Sequence, residues 1–191
     1  MSHICIGPKG SGKTHLLHCL KEVDSINETS HSVSTVGTNI FTVKNPNVKD
    51  FESNKQKSKQ MLSVQIREIG GTMAPIWRRY FEDVTHVIYV VDTSNLCQIS
   101  AAGVLLYTIL TEPRLQTAEM LLVLTKMDLA YRQMRNEALL MLQLTKLRKE
   151  LRQRITVVET SSVTKSGLND VLDWLFLHPK KTTQLKGPQS H

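Results

Sequence analysis

From Gly7 to Thr14 the chain reads GPKGSGKT, in which glycines, a lysine and a hydroxyl residue stand at the spacing of a phosphate-binding loop. Gly7, Gly10 and Gly12 let the backbone curl around Ser11 until successive N–H groups point at an anion. Lys13 then reaches the β- and γ-phosphates of a nucleotide, and Thr14 offers its hydroxyl to Mg²⁺. The same loop would suit a nucleotide kinase, so it does not choose the base. Thr125-Lys126-Met127-Asp128 makes that choice. The Asp128 carboxylate can accept two hydrogen bonds, from the N1–H and the exocyclic amine of guanine, and adenine has no such donor pair on that edge. Leaving the carboxylate unpaired would discriminate by a factor of order 10⁴. Ser161 and Ser162, within ETSSV, are placed to bring a backbone N–H to the guanine carbonyl oxygen. REIGGT, from Arg67 to Thr72, adds a carboxylate, Glu68, and a glycine pair ending in Gly71.

These residues need a scaffold that gathers them at one end. Met1–Ile6, THVIYVVD, EMLLVLTKMD and ITVVETSS are apolar, β-branched runs, the pattern of strands covered on both faces. Leucines at helical spacing follow the phosphate loop, and helical patterns lie near Gln98–Leu110, within Tyr131–Arg154 and over Gly167–Leu177. TNIFTV and MLSVQIREI read as an antiparallel pair joined by a long polar connection over 44–60. Strands alternating with helices predict an α/β fold, a doubly wound and mostly parallel sheet, whose ligands bind at the carboxyl ends of the strands. The chemistry-bearing residues above fall at those ends.

The 191 residues and 40% hydrophobic content suit one domain, over 1–177, with a polar tail over 178–191 read as disordered. No apolar run approaches the roughly 20 residues that span a bilayer, and no signal peptide is legible, so a cytoplasmic protein is expected. Cys5, Cys19 and Cys97 are too few and too scattered for a disulfide framework or a metal site, and read as reduced core thiols. His15 and His18 have no matching ligand group and read as ordinary helix residues. The net charge of +7 collects over 44–59, over 132–154 and in the tail, with Phe51 the one aromatic residue among them, too few for a stacking platform. It therefore reads as solvated surface, and no nucleic acid partner is expected. The stripe Leu140, Leu144, Leu147 and Leu151 reads as the buried face of a domain helix.

The order of GPKGSGKT, TVGTN, REIGG, TKMD and ETSSV resembles the five nucleotide-contact motifs of small GTPases, in particular the ADP-ribosylation factor family. TVGTNI is similar to that family's first switch, GGTMAPIWRRYF to its double glycine with the helix that follows, and SGLNDVLDWL to its closing helix. The resemblance spans about Ile4 to Leu177 and implies a P-loop GTPase domain that uses GTP, GDP and Mg²⁺. It implies that Thr35 closes on Mg²⁺ and the γ-phosphate, that Gly71 offers its N–H to that phosphate, and that Glu68 serves Mg²⁺ from its outer coordination sphere. Thr125 stands where the family has asparagine, beside Lys126 and Asp128. The strand pair around Thr38–Val43 and Met61–Ile69 is implied to shift register between nucleotide states.

The departures carry as much information. Thr72 occupies the position of the glutamine that orients the attacking water, and its short hydroxyl should not reach that water, so no catalytic residue is assigned and intrinsic hydrolysis is expected to be slow or absent. An arginine supplied by a partner is worth about 10³–10⁵ in rate, so a slow protein is not thereby an inactive one. Glu68 replaces an aspartate, which moves the carboxylate by one methylene. Thr38 replaces a phenylalanine that the family presents to partners. The Met-Ser start lacks the Met-Gly myristoylation signal and no Cys-a-a-X box is present, so no self-contained lipid anchor is expected. The reading is a monomeric GTP-dependent switch with effector, exchange and activating proteins as partners, the traffic role coming from the resemblance alone. Its rivals are a scaffold that holds GTP permanently or binds none, and a nucleotide kinase.

Overall fold

The computed structural model describes residues 2–21, 34–46, 62–130, 132–150 and 153–176. The connection expected over 44–60, beyond Pro46, and the tail expected over 178–191 lie outside the described residues. The strands are Ser2–Ile6 (β1), Thr38–Lys44 (β2), Ser63–Ile69 (β3), Val84–Asp92 (β4), Glu119–Thr125 (β5) and Ile155–Glu159 (β6). The α-helices are Lys13–Lys21 (α1), Leu96–Leu110 (α2), Arg132–Met141 (α3), Leu144–Glu150 (α4) and Leu168–Phe176 (α5), with 3-10 helices at Gly71–Tyr80 and Pro113–Leu115.

The sheet order is β2-β3-β1-β4-β5-β6, parallel except for β2 against β3. This is the small-GTPase fold expected from the sequence. The chain leaves β1, builds β2 and β3 on one side of it and then places β4 on the other. The crevice beyond the end of β1 is therefore the point where a doubly wound sheet binds its ligand. Strand alternation sends Ile4, Ile6, Tyr89 and Val91 into one core with α2, α3 and Trp77, and Cys5, Ile88 and Val90 into the other with α1 and α5. The β2–β3 register sets Asn39 opposite Glu68, and β1–β3 pairing sets Cys5 opposite Glu68. Glu68 thereby comes level with the entry to the phosphate loop.

Two packing expectations change. The leucine stripe does not lie on one helix, because the chain breaks between α3 and α4 at Gln143, whose φ is 51°. Leu144 and Leu147 are buried as expected, whereas Leu140 is 77% exposed on the other side of the break, and Leu151 lies outside the described residues. Cys5 and Cys19 are buried free thiols, but Cys97 is an exposed one, because it occupies the outer side of the first turn of α2. No helix among the described residues is long and apolar enough to cross a membrane.

Candidate functional site

The loop between β1 and α1 borders a cavity of about 480 Å³ at the carboxyl ends of the strands. Its wall is shared by Gly10, Gly12, Lys13 and Thr14 from this loop, Thr35, Glu68 and Gly71 from the β2–β3 side, and Thr125, Lys126, Asp128 and Ser162 from the ends of β5 and β6. Lys13 is only 5% exposed, and its ammonium donates to the carbonyls of Gly7 at 2.9 Å and Pro8 at 2.8 Å. Burial pushes it below the usual lysine range, against the opposing pull of Glu68. A cation held in place at such a loop is the feature an oligophosphate would meet.

Glu68 is fully buried at the end of β3. Its Oε1 accepts from Thr14 Oγ1 at 2.5 Å and Thr35 Oγ1 at 3.3 Å, its Oε2 accepts from Asn39 Nδ2 at 3.3 Å, and the two threonine hydroxyls lie 3.1 Å apart. Three hard oxygen donors from α1, the segment before β2 and β3 thus converge. Such a set suits Mg²⁺, which takes few protein ligands and keeps its waters, and does not suit a soft or imidazole-loving metal. No group of three His, Cys, Asp or Glu side chains able to hold a metal occurs among the described residues. The donor set fits Mg²⁺ through hydroxyls, with the carboxylate one step behind.

At the other end of the cavity, Ser161 Oγ donates to Asp128 Oδ1 at 2.5 Å and accepts the Thr164 N–H at 3.1 Å, which orients the carboxylate. Lys126 pairs with Asp92 at 2.6 Å, and the second oxygen of Asp92 accepts from Ser94. Thr125 Oγ1 reaches the Ser11 carbonyl at 2.7 Å and the Val91 carbonyl at 3.1 Å. One hydroxyl therefore ties the end of β5 to the phosphate loop. The loop geometry rests on contacts between elements far apart in sequence.

Most of the residues singled out from the sequence meet at the cavity. Gly7, Ser11 and Ser161 stand behind it, as an acceptor for Lys13, an acceptor for Thr125 and the support of Asp128. Thr72 is exposed, and the lining includes Gly71 but not Thr72. His18 packs edge-on against Phe41, an ordinary helix contact, whereas His15 borders the cavity. Sequence reasoning missed the apolar side chains Leu129 and Val163 beside Asp128 and Ser162, and the supports Asn39 and Asp92. Asp92 was findable, since it ends an apolar parallel strand. Asn39 needed the register of β2 on β3.

Residues 1–178 match the ADP-ribosylation factor family. Human ADP-ribosylation factor-like protein 16 is 31% identical over 178 residues, which cover 90% of this chain and 83% of that protein. ADP-ribosylation factor-like protein 1 of Caenorhabditis elegans is 28% identical over 177 residues, covering 92% and 87%. The Arl6 small GTPase from Trypanosoma brucei, solved with the nucleotide analogue GppNp, superimposes with a TM-score of 0.68 at 19% identity over 91% of this chain and 94% of that one. The mammalian SRP receptor structure gives 0.66 at 15% identity over 92% and 98%. At these identities the structural likeness concerns the fold, while the sequence match carries the family. The chain belongs to the ADP-ribosylation factor family of small GTP-binding proteins.

Proposed function

We propose that this protein is a GTP/GDP-dependent switch that recruits effectors in intracellular traffic, membrane or ciliary, and by itself hydrolyses GTP slowly. The observation that carries the reading is the meeting in one cavity of the phosphate loop, the Thr14–Thr35–Glu68 oxygens, Gly71 and the Asp128 carboxylate. Lys13 leaves the Gly7 and Pro8 carbonyls to hold the β- and γ-phosphates, and the loop N–H groups from Gly10 to Thr14 hold the β-phosphate. Asp128, steadied by Ser161, reads the guanine edge, with Ser162 at the carbonyl oxygen and Leu129 and Val163 as apolar surface beside the ring. Thr14 and Thr35 would hold Mg²⁺, with Glu68 behind them, and what such an ion would supply is neutralisation of the phosphate charge. Gly71 and Thr35 answer to the γ-phosphate, which makes the segments that carry them the parts that partners read.

Thr72 is exposed and is not among the residues that line the cavity, which agrees with a short hydroxyl that does not orient the attacking water. Partner proteins then set the lifetime of the GTP state. The test is to load the purified protein with GTP and Mg²⁺ and follow the nucleotide over hours. GTP that persists is the expected result. Appreciable GDP formed by the protein alone overturns the reading of Thr72, and failure to take up any guanine nucleotide overturns the switch in favour of a nucleotide-free scaffold.

A further inference from the structure

Gly71 lies hard against the phosphate loop, since a Cβ there would fall 2.3 Å from the Lys9 nitrogen and 2.5 Å from the Pro8 carbonyl carbon. Its N–H belongs to the Gly70–Gly71 peptide, whose orientation decides whether that hydrogen faces the cavity. Three hydrogen bonds fix the residue before it. The Gly70 N–H donates to the Gly37 carbonyl at 3.0 Å, and the Gly70 carbonyl accepts both the Met73 N–H at 3.0 Å and the Trp77 indole Nε1–H at 3.1 Å. Trp77 is 2% exposed and belongs to the core formed with Ile4, Ile6 and Ile69. The carbonyl is therefore drawn toward the core. In a trans planar peptide the N–H points opposite to the C=O, so the Gly71 N–H is turned away from the core, toward the cavity that Gly71 lines.

We infer that Trp77 is a positioning residue for γ-phosphate recognition: its indole N–H holds the Gly70 carbonyl and so aims the Gly71 N–H at the terminal phosphate. The inference rests on the role given to Gly71 under the proposed function. The Met73 N–H alone is a weaker constraint, because Met73 is only partly buried, whereas Trp77, farther along the same 3-10 helix, is buried in the core. A tryptophan that only filled space would support GDP and GTP states alike. One that aims an N–H at the γ-phosphate matters for the triphosphate alone.

The test compares GppNp and GDP affinities of the nucleotide-free full chain, with Mg²⁺, in wild type and Trp77→Phe, which keeps an aromatic ring and removes the donor. The loss of one such hydrogen bond predicts a fall of about fivefold in the preference for GppNp over GDP, with GDP affinity unchanged. An unchanged preference, or an equal loss for both nucleotides, overturns the inference while the proposed switch stands. A wild type that shows no preference between GppNp and GDP removes the γ-phosphate role of Gly71, and the inference with it. If Trp77→Phe does not fold, hydrogen exchange of the Trp77 indole in ¹⁵N-labelled, GppNp-loaded wild type decides. Strong protection is expected, and exchange at the rate of a solvent-exposed indole overturns the assignment.

Discussion

Replacement of His3 by leucine should make folding stability less sensitive to acid. His3 stands at the amino end of β1, away from the phosphate loop at its carboxyl end, and is 3% exposed with neither ring nitrogen hydrogen-bonded. Its ring stacks on His86 at 4.3 Å, and His86 in turn meets Trp174 edge-on at 5.5 Å. Burial first, and the neighbouring His86 second, lower its pKa from 6.5 to about 4. The folded state thus keeps His3 neutral while the unfolded chain titrates near 6.5. The associated stability is complete above the unfolded pKa and falls as pH drops from 6.5 toward 4. Between pH 7.5 and pH 5 the linkage amounts to about 1–2 kcal/mol after allowance for screening. Urea unfolding of wild type and His3→Leu at both pH values isolates this contribution, since the carboxylates shared by the two proteins cancel. The variant should lose about 1–2 kcal/mol less than wild type over that interval. Equal losses would refute the reasoning.

Three further perturbations address the site. Gly71→Ala places a methyl against the Lys9 and Pro8 backbone, so loop and N–H must move apart; both nucleotides should bind more weakly, GppNp by roughly tenfold more than GDP because it alone also loses the Gly71 N–H, and titration with both nucleotides checks this. Thr125→Val removes the hydroxyl that ties β5 to Ser11 and should cost about 1–2 kcal/mol in urea unfolding, with recovery in Thr125→Ser; no change would mean that this bond does not hold the loop. Glu68→Gln keeps the shape of the side chain but not its charge. It should raise the Mg²⁺ concentration needed to retain GppNp by about tenfold, measured by nucleotide release against Mg²⁺.

What was legible from the sequence is what local pattern dictates. The phosphate loop has a fixed spacing, the buried parallel strands are continuous apolar runs, and Asp128 follows one of them, so fold class and most of the cavity lining could be read directly. Leu140 was misplaced for a local reason as well: helical period says which residues share a face only while the helix continues, and the positive φ of Gln143 ends it, whereas Cys97 was misplaced because its position on the outer side of the first turn of α2 depends on where that helix begins. Residues that depend on pairing between distant segments were not legible. Asn39 meets Glu68 only because β2 pairs with β3 in one register, Lys126 finds Asp92 across two strands, and Trp77 turns back to Gly70 through the packing of a 3-10 helix. The exposure of Thr72 belongs to the same class.

The longer carboxylate at position 68 acquires a meaning in this setting. Glu68 bridges Thr14, 54 residues away in sequence, and Asn39, 29 residues away, so one side chain joins α1, the loop that holds Thr35 and the edge strand β2. The two partnerships differ in kind. Asn39 lies opposite Glu68 within the β2–β3 pair and would travel with it, whereas Thr14 belongs to the first turn of α1, behind the phosphate loop that follows β1. A slide of the pair by two residues against β1 moves Glu68 by about 6–7 Å, far beyond the 2.5 Å contact with Thr14. The Asn39 contact would survive such a slide, and the Thr14 contact would not. The Thr14–Glu68 bond therefore reports the register of β3 on β1, and only the register seen here, with Cys5 opposite Glu68, assembles the hydroxyl and carboxylate oxygens that suit Mg²⁺. The expected outcome is that a register slide of β3 on β1 loosens Mg²⁺, and nucleotide release against Mg²⁺ in Glu68→Gln and in wild type checks whether Glu68 is the link.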